Sequence, residues 1–128
     1  MADLTTYLNR EWHPVDYHCW SLVRDYYSRE LNIDLPPVAI DARSIREVLD
    51  QFRLSDIYQA FNRVETPCDH DVVLFINDAG LVSHCGIFVG GKILHNLEPF
   101  GIAWQRLLTL RTLFPTWTYW RHGSRSPL

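Results

Sequence analysis

The apolar positions of the chain follow a helical period in its first part and a strand period in its second. Between residues 19 and 30 they recur at spacings of three and four, at Cys19, Leu22, Val23, Tyr26 and Tyr27. This spacing predicts an amphipathic helix over 19–30. Asp16, three residues earlier, is the predicted N-cap.

Two further helical segments are predicted before the strands begin. Ser44 and Glu47 have capping-box spacing ahead of an apolar stripe, which predicts a helix near 42–53. A short helical turn is predicted near 56–61. The pair Pro36-Pro37 separates these segments from the first helix.

After residue 70 the pattern changes to short apolar runs separated by turn residues. Strands are predicted over 71–76, 81–89, 92–97 and 116–121, and the segment 102–113 is compatible with either helix or strand. Helices followed by strands predict an α+β fold with a mostly antiparallel sheet.

The dipeptide Gly90-Gly91 predicts a two-residue hairpin loop, which fixes the register of the strands around it. In that register Gly86 lies opposite His95, and His84 becomes a diagonal neighbour of His95 on the same face, about 7–8 Å away at the backbone. Cys85 points to the opposite face and is expected to take no part in the site. By itself, the histidine pair is compatible with a metal half-site, a relay or no function.

Composition and charge narrow the class of protein. The chain has 128 residues, 47% of them apolar, and a net charge of −3. We expect a single domain over 1–128, with 1–6 and 123–128 frayed. The charge disfavours a nucleic-acid partner, and no apolar run approaches the roughly 20 residues of a membrane span. The segment Met1–Thr5 lacks the features of a signal peptide, so we expect synthesis in a cytoplasm.

Three cysteines, Cys19, Cys68 and Cys85, are an odd number, which disfavours a disulfide framework. Cys19 stands at the predicted helix N-terminus, where backbone N–H groups and the helix dipole favour a thiolate. The alternative is a small apolar core residue, the usual role of a free cysteine.

Two segments together carry a resemblance to a known family. Residues 18–27, His-Cys-Trp-Ser-Leu-Val-Arg-Asp-Tyr-Tyr, resemble the nucleophile segment of NlpC-type cell-wall cysteine peptidases, most closely those of tail-tip assembly proteins of lambda-like phages. Residues 82–96 are similar to the family's His-x-Gly hairpin, and 71–74 to the strand before it. The resemblance spans 7–122 and implies a papain-like domain with the Cys-bearing helix packed on an antiparallel sheet.

The resemblance implies a role for three residues. Cys19 corresponds to the nucleophile, His84 to the general base and His95 to the third polar residue, which orients the base. It implies hydrolysis of amide bonds in peptidoglycan stem peptides, with no cofactor and no metal. It further implies a component of a phage virion tail that opens the cell wall in contact with other tail-tip proteins.

The chain departs from the family pattern at three places. His18 replaces the Asp before the nucleophile, and His70 replaces the Gly before the Asp-Val strand. The aromatic residue that lines the oxyanion site is also undefined, with Tyr7, Trp12 and Tyr17 as candidates. These changes affect the expected substrate subsite and rate more than the fold.

Three rival interpretations remain at this level. Cys68, His70, His84 and Cys85 include zinc-type ligands, but neighbours in a strand point in opposite directions, which disfavours one ion held by His84 and Cys85. A second alternative is a non-enzymatic structural tail-tip assembly protein that retains the fold. A third is a bacterial amidase toxin of the same superfamily.

Overall fold

The computed structural model of the chain describes residues 3–10, 17–35, 60–80, 82–97 and 100–125. The helices are α1 (Thr5–Leu8), α2 (Cys19–Leu31) and α3 (Leu107–Leu110), with a 3₁₀ turn over Gly123–Arg125. The strands are β1 (Phe61–Val64), β2 (Val72–Ile76), β3 (Val82–Val89), β4 (Lys92–Leu97), β5 (Gly101–Gln105) and β6 (Thr116–His122). None of the described helices has the length and apolarity to cross a membrane. The predicted helix near 42–53 lies outside the described residues.

The six strands form one antiparallel sheet in the order β1-β6-β2-β3-β4-β5. Alternate residues of the strands belong to two apolar clusters, because successive side chains point to opposite faces. One cluster joins α2 to residues such as Leu74 and Ile87, and the other joins Phe75 and Ile93 to Leu110 and Phe114. The α+β prediction with an antiparallel sheet is therefore confirmed.

The first long helix, α2, begins at Cys19 with His18 as its N-cap residue. The prediction of Asp16 as the N-cap is wrong, because the helix begins at Cys19 and the N-cap is the residue directly before it, His18. Asp16 itself lies outside the described residues. The helix ends at Leu31, and the C-cap residue Asn32 has a left-handed backbone (φ 54°) and donates its N–H to the carbonyl of Tyr27. Left-handed asparagine is a common helix terminator.

The β3–β4 hairpin has the predicted register, with Gly86 opposite His95 and Val89 opposite Lys92. Gly90 and Gly91 both have positive φ, 61° and 77°. A type I′ loop requires this conformation, which glycine adopts without a steric penalty. Local turn chemistry therefore sets the pairing of the two strands that carry His84 and His95.

Two regions differ from the expected elements. The helical turn predicted near 56–61 lies outside the described residues over 56–59 and is wrong at its end, because Phe61 opens strand β1, which pairs with β6. The ambiguous segment 102–113 divides into β5 and α3. Neither β1 nor β5 shows strict apolar alternation in the sequence, so tertiary pairing decides both.

The chain ends that were expected to fray carry regular structure where they are described. Thr5 and Thr6 belong to α1, and the Gly123 N–H donates to the Ala60 carbonyl at 2.8 Å. Nearby, Arg121 holds the buried Asp71 carboxylate through two hydrogen bonds of 3.0 and 2.9 Å. This ion pair ties β6 to the start of β2 and compensates the buried Asp71 charge.

Candidate active site

The structure brings Cys19, His84 and His95 together from three elements. Cys19 is the first residue of α2, His84 lies in β3 and His95 in β4. Each is almost completely buried, with at most 1% of its surface exposed. In such a buried site the effective dielectric constant is low, so hydrogen bonds and interactions between charges are stronger than in water.

The two imidazoles form one hydrogen-bonded chain. His84 Nε2 lies 2.9 Å from His95 Nδ1, and the rings meet nearly edge to face at 77°. The chain continues from His95 Nε2 to Gln105 Oε1 at 2.7 Å. Sequence analysis missed Gln105, because its segment was ambiguous and the β4–β5 register was unknown. Only that register, which pairs His95 with Ala103, makes Gln105 a diagonal neighbour of His95.

Aromatic rings enclose the His84 imidazole. The Phe114 ring stacks on it in parallel, with centroids 5.2 Å apart and an interplanar angle of 8°, and Phe75 lies at 5.6 Å. Both phenylalanines belong to the apolar cluster on this face of the sheet. The stacked rings hold the imidazole in one orientation and keep water away from its bond to His95.

The surroundings of Cys19 hold its thiol pKa well below the usual range. The largest cause is a hydrogen bond from the Cys85 thiol; burial acts in the opposite direction, and His18 and His84 lower the pKa further. The same bond and burial raise the pKa of Cys85 well above its usual range, so Cys85 keeps its proton. Position at a helix N-terminus adds to the preference for negative charge on Cys19.

The expectation that Cys85 stands apart from the site is wrong, although it does occupy the predicted face. Cys85 belongs to the apolar cluster around α2, whereas His84 packs with Phe75 on the other face. Cys19 nonetheless interacts with both side chains. A register shift between Phe75 and Ile76, opposite the start of β3, marks where strict alternation is interrupted. Such bulges commonly redirect side chains beside functional sites.

Gly86 provides the room that His95 occupies. A Cβ at this position would lie 2.8 Å from the Ile93 side chain, 2.9 Å from the Leu94 carbonyl oxygen and 3.0 Å from His95 Cβ. The carbonyl belongs to the paired strand, so it cannot move without breaking the hairpin register. The lack of a side chain at Gly86 therefore lets the paired strand and His95 approach this closely.

We expect Gly86→Ala to lower the free energy of unfolding by about 1–3 kcal/mol, the usual cost of an overpacked core position. Urea denaturation measures the loss. The control is Gly123→Ala, whose new Cβ would meet only the Ala60 carbonyl at 3.4 Å and should change stability little. Equal stability of the Gly86 variant and the unsubstituted protein would contradict the packing argument.

The departures from the family pattern have defined places in the structure. His18 is 4% exposed and its imidazole interacts with the Cys19 thiol, so it contributes to the thiolate environment. His70 has a left-handed φ of 81°, the conformation that glycine adopts most easily, and its Nδ1 lies 2.7 Å from the Tyr26 hydroxyl. A side-chain contact thus holds His70 where glycine would need none.

Of the three aromatic residues that are candidates for lining the oxyanion site, Tyr7 and Tyr17 lie within the described residues. The Tyr17 hydroxyl donates to Asp25 at 3.2 Å, and the Tyr7 ring packs on Tyr26 with centroids 5.6 Å apart. Both hydroxyl-bearing rings therefore engage later turns of α2, beyond its first residue. Trp12 lies outside the described residues. The backbone carbonyl of Tyr17 accepts a hydrogen bond from Asn96 Nδ2 at 3.1 Å, which tethers the segment before Cys19 to β4.

The zinc-type residues are divided between separate places. Cys68 and His70 lie in the turn before β2, whereas His84 and Cys85 occupy opposite faces of β3. Within residues 3–10, 17–35, 60–80, 82–97 and 100–125, no group of three His, Cys, Asp or Glu side chains could hold a metal ion.

A thiol on the first residue of a helix, packed on an antiparallel sheet that carries the neighbouring imidazoles, defines the class of papain-like α+β domains. The profile of the NlpC/P60 family matches residues 9–109, well over half of the chain, and the chain belongs to this family. Members of the family are in general cysteine peptidases and amidases that act on peptidoglycan. A search of curated proteins finds no match.

Proposed function

We propose that this protein hydrolyses amide bonds of peptidoglycan stem peptides with Cys19 as nucleophile, His84 as general base and His95 as the residue that orients the base. The observation that carries the proposal is the hydrogen-bonded pair of His84 and His95, buried beside the start of α2, where His84 helps to lower the pKa of the Cys19 thiol. Thiol, base and orienting group in this order are the geometric signature of nucleophilic catalysis.

The first half of the reaction acylates the enzyme. The Cys19 proton passes to His84, and the thiolate attacks the amide carbonyl carbon while the carbonyl π electrons move to oxygen. The backbone N–H of Cys19, at the N-terminus of α2, donates to that oxyanion. The tetrahedral intermediate then collapses: the C–N bond breaks, His84 returns the proton to the leaving amine, and a thioester remains on Cys19.

The second half regenerates the thiol. Water gives a proton to His84 as its oxygen attacks the thioester carbonyl, and the C–S bond breaks. The products are a carboxylic acid, which loses its proton to solvent, and the Cys19 thiolate, which recovers its proton from His84. Throughout, His95 accepts a hydrogen bond from His84 and stabilises the charge that His84 carries between the two steps.

A finer proposal concerns the biological setting. We propose that the protein serves as a phage tail component, located in the virion tail beside other tail-tip proteins, and opens the cell wall there. The support is the similarity of residues 18–27 and 82–96 to the corresponding segments of tail-tip assembly proteins of lambda-like phages. Detection of the protein in purified virions by immunogold labelling tests this setting independently of activity.

Digestion of purified peptidoglycan tests the activity. We expect soluble stem-peptide fragments that carry one new amine and one new carboxylate, detected by mass spectrometry as the gain of one water per bond. Glycan fragments with intact stem peptides would contradict the proposal. An absence of cleavage by folded protein, on intact walls and on isolated muropeptides alike, would favour the structural tail-tip alternative.

A further inference from the structure

The far end of the imidazole chain carries a residue that the proposed mechanism does not use. Gln105, the last residue of β5, is half-buried and places Oε1 2.7 Å from His95 Nε2. It reaches His95 from the neighbouring strand, diagonally past Ala103. Its hydrogen bond is to His95, so we consider a role of Gln105 in catalysis that acts through His95.

The chemistry of an amide oxygen gives the chain a direction. Oε1 has lone pairs and no proton, so it can only accept, and the proton between the two groups therefore belongs to His95 Nε2. A neutral imidazole carries one proton, which leaves His95 Nδ1 free to accept from His84 Nε2. That bond in turn leaves His84 Nδ1 as the nitrogen available to the Cys19 proton.

The opposite direction would disable the base. If an amide N–H donated to His95 Nε2, the His95 proton would sit on Nδ1 and point at His84 Nε2. His84 would then carry its own proton on Nδ1, the nitrogen that has to accept the thiol proton. We therefore propose that Gln105 is a positioning residue, whose amide oxygen sets the tautomers of His95 and His84 so that the base accepts a proton from Cys19.

The setting of His95 makes this choice of tautomer decisive. Burial, reinforced by the neighbouring His84, lowers the pKa of His95 to about 4. His95 is consequently neutral at physiological pH, and its single proton can occupy either nitrogen. The titratable groups that act on it are His84 and Cys19, while Gln105 is uncharged. At His95 Nε2, the amide oxygen of Gln105 is the group that favours one tautomer of His95 over the other.

The cavity beside Gln105 affects how much activity should be lost when the Gln105 amide is removed. Gln105 and His95 both line a cavity of about 350 Å³ with mainly apolar walls, including Leu97 and Leu113. A water molecule in this cavity could partly replace a missing amide. We therefore choose Gln105→Leu, whose side chain fills the site and cannot bond, and expect a loss of about tenfold, at the lower end for partners of functional histidines.

The inference rests on the proposed function, and its test uses readouts that do not all require hydrolysis. In Gln105→Leu we expect kcat to fall about tenfold with KM unchanged, since a positioning residue acts on the imidazoles and not on substrate binding. In ¹⁵N-histidine NMR spectra, His95 should change from the Nε2–H tautomer to a mixture. Arg106→Ala, an exposed change at the next residue, is the matched control and should leave both readouts unchanged.

Gln105→Glu separates positioning from simple packing. A carboxylate also accepts from His95 Nε2, so the tautomer should persist and kcat at alkaline pH should recover to near that of the unsubstituted protein. Its charge should raise the pKa of His95 and move the acid limb of the pH–rate profile upward. A merely structural role predicts no such pH-dependent rescue.

The ¹⁵N-histidine NMR spectrum of Gln105→Leu decides whether Gln105 is a positioning residue. If His95 keeps the Nε2–H tautomer in folded Gln105→Leu, the proposal is overturned, whatever the rates. If the tautomer changes in Gln105→Leu but the unsubstituted protein cleaves no peptidoglycan, Gln105 positions the imidazoles as proposed and the proposed function alone fails.

Discussion

Replacing Cys19 with alanine should abolish stem-peptide hydrolysis, with a loss of at least about 10⁴-fold, and leave the fold intact. We expect neither of the other two cysteines to take its place: Cys85 is buried and its raised pKa keeps it protonated, and Cys68 is exposed. The change removes one small side chain, so the apolar cluster around α2 should persist. Peptidoglycan digestion and circular dichroism measure the two effects.

Cys68→Ala is the matched control for this substitution. Cys68 is exposed, and the hydrogen bond that it donates to Asp71 comes from its backbone N–H, which alanine retains. It should keep full activity. Residual hydrolysis by folded Cys19→Ala above the rate of the boiled protein would remove Cys19 as nucleophile. Cys19→Ser, which keeps the size of the side chain, guards against a misfolded alanine variant.

The second large effect concerns the order of the two histidines. His84→Gln should reduce kcat by about 10²- to 10⁴-fold, because it removes the proposed general base. His95→Ala should cost less, about 10- to 100-fold, since it removes only the group that orients the base. Glutamine is chosen at position 84 because it fills the space between Phe75 and Phe114, where alanine would leave a cavity.

The two histidines should also be coupled, because they act in one chain. Adding His95→Ala to His84→Gln should cost little more than His84→Gln alone, since an orienting residue has nothing left to orient. His95→Asn should recover part of the activity, because an amide oxygen can accept from His84 Nε2. A larger loss from His95→Ala than from His84→Gln would mean that the two roles are exchanged.

The rate of alkylation of Cys19 by iodoacetamide tests the interaction of Cys19 with His84 without any substrate. Thiolate reacts and thiol does not, so the rate against pH reports the Cys19 pKa, and mass spectrometry separates Cys19 from Cys68. His84→Gln should shift the Cys19 reaction to higher pH. The reaction of exposed Cys68 in the same sample serves as the internal reference.

Much of this site follows from local sequence patterns. The spacing of Cys19, Leu22 and Tyr26 predicts α2, because a helical period depends only on neighbours three and four residues apart. Gly90-Gly91 predicts the hairpin and the opposition of Gly86 and His95, because a two-residue loop fixes the register of both strands. The identity of the three proposed catalytic residues came from these patterns and the family resemblance.

Other features depend on contacts between distant parts of the chain. The pairing of β5 with β4 brings Gln105 to His95, and the packing of α2 on the sheet brings Cys85 to Cys19. Phe114 covers His84 only because the segment after α3 folds back on the sheet. None of these neighbours is close enough in sequence for periodicity or turn chemistry to place it.

The sequence by itself determined on which elements Cys19, His84 and His95 stand, because helix period, strand alternation and turn residues are local properties of the chain. The roles proposed for these residues came from the family resemblance. The tertiary structure decided how these residues are tuned. Three neighbours tune them: the Cys85 thiol beside Cys19, the Gln105 amide beside His95 and the Phe114 ring stacked on His84. Each comes from a part of the chain that reaches the site only through packing or strand order. Proton positions depend on such contacts, since a hydrogen bond extends only about 3 Å.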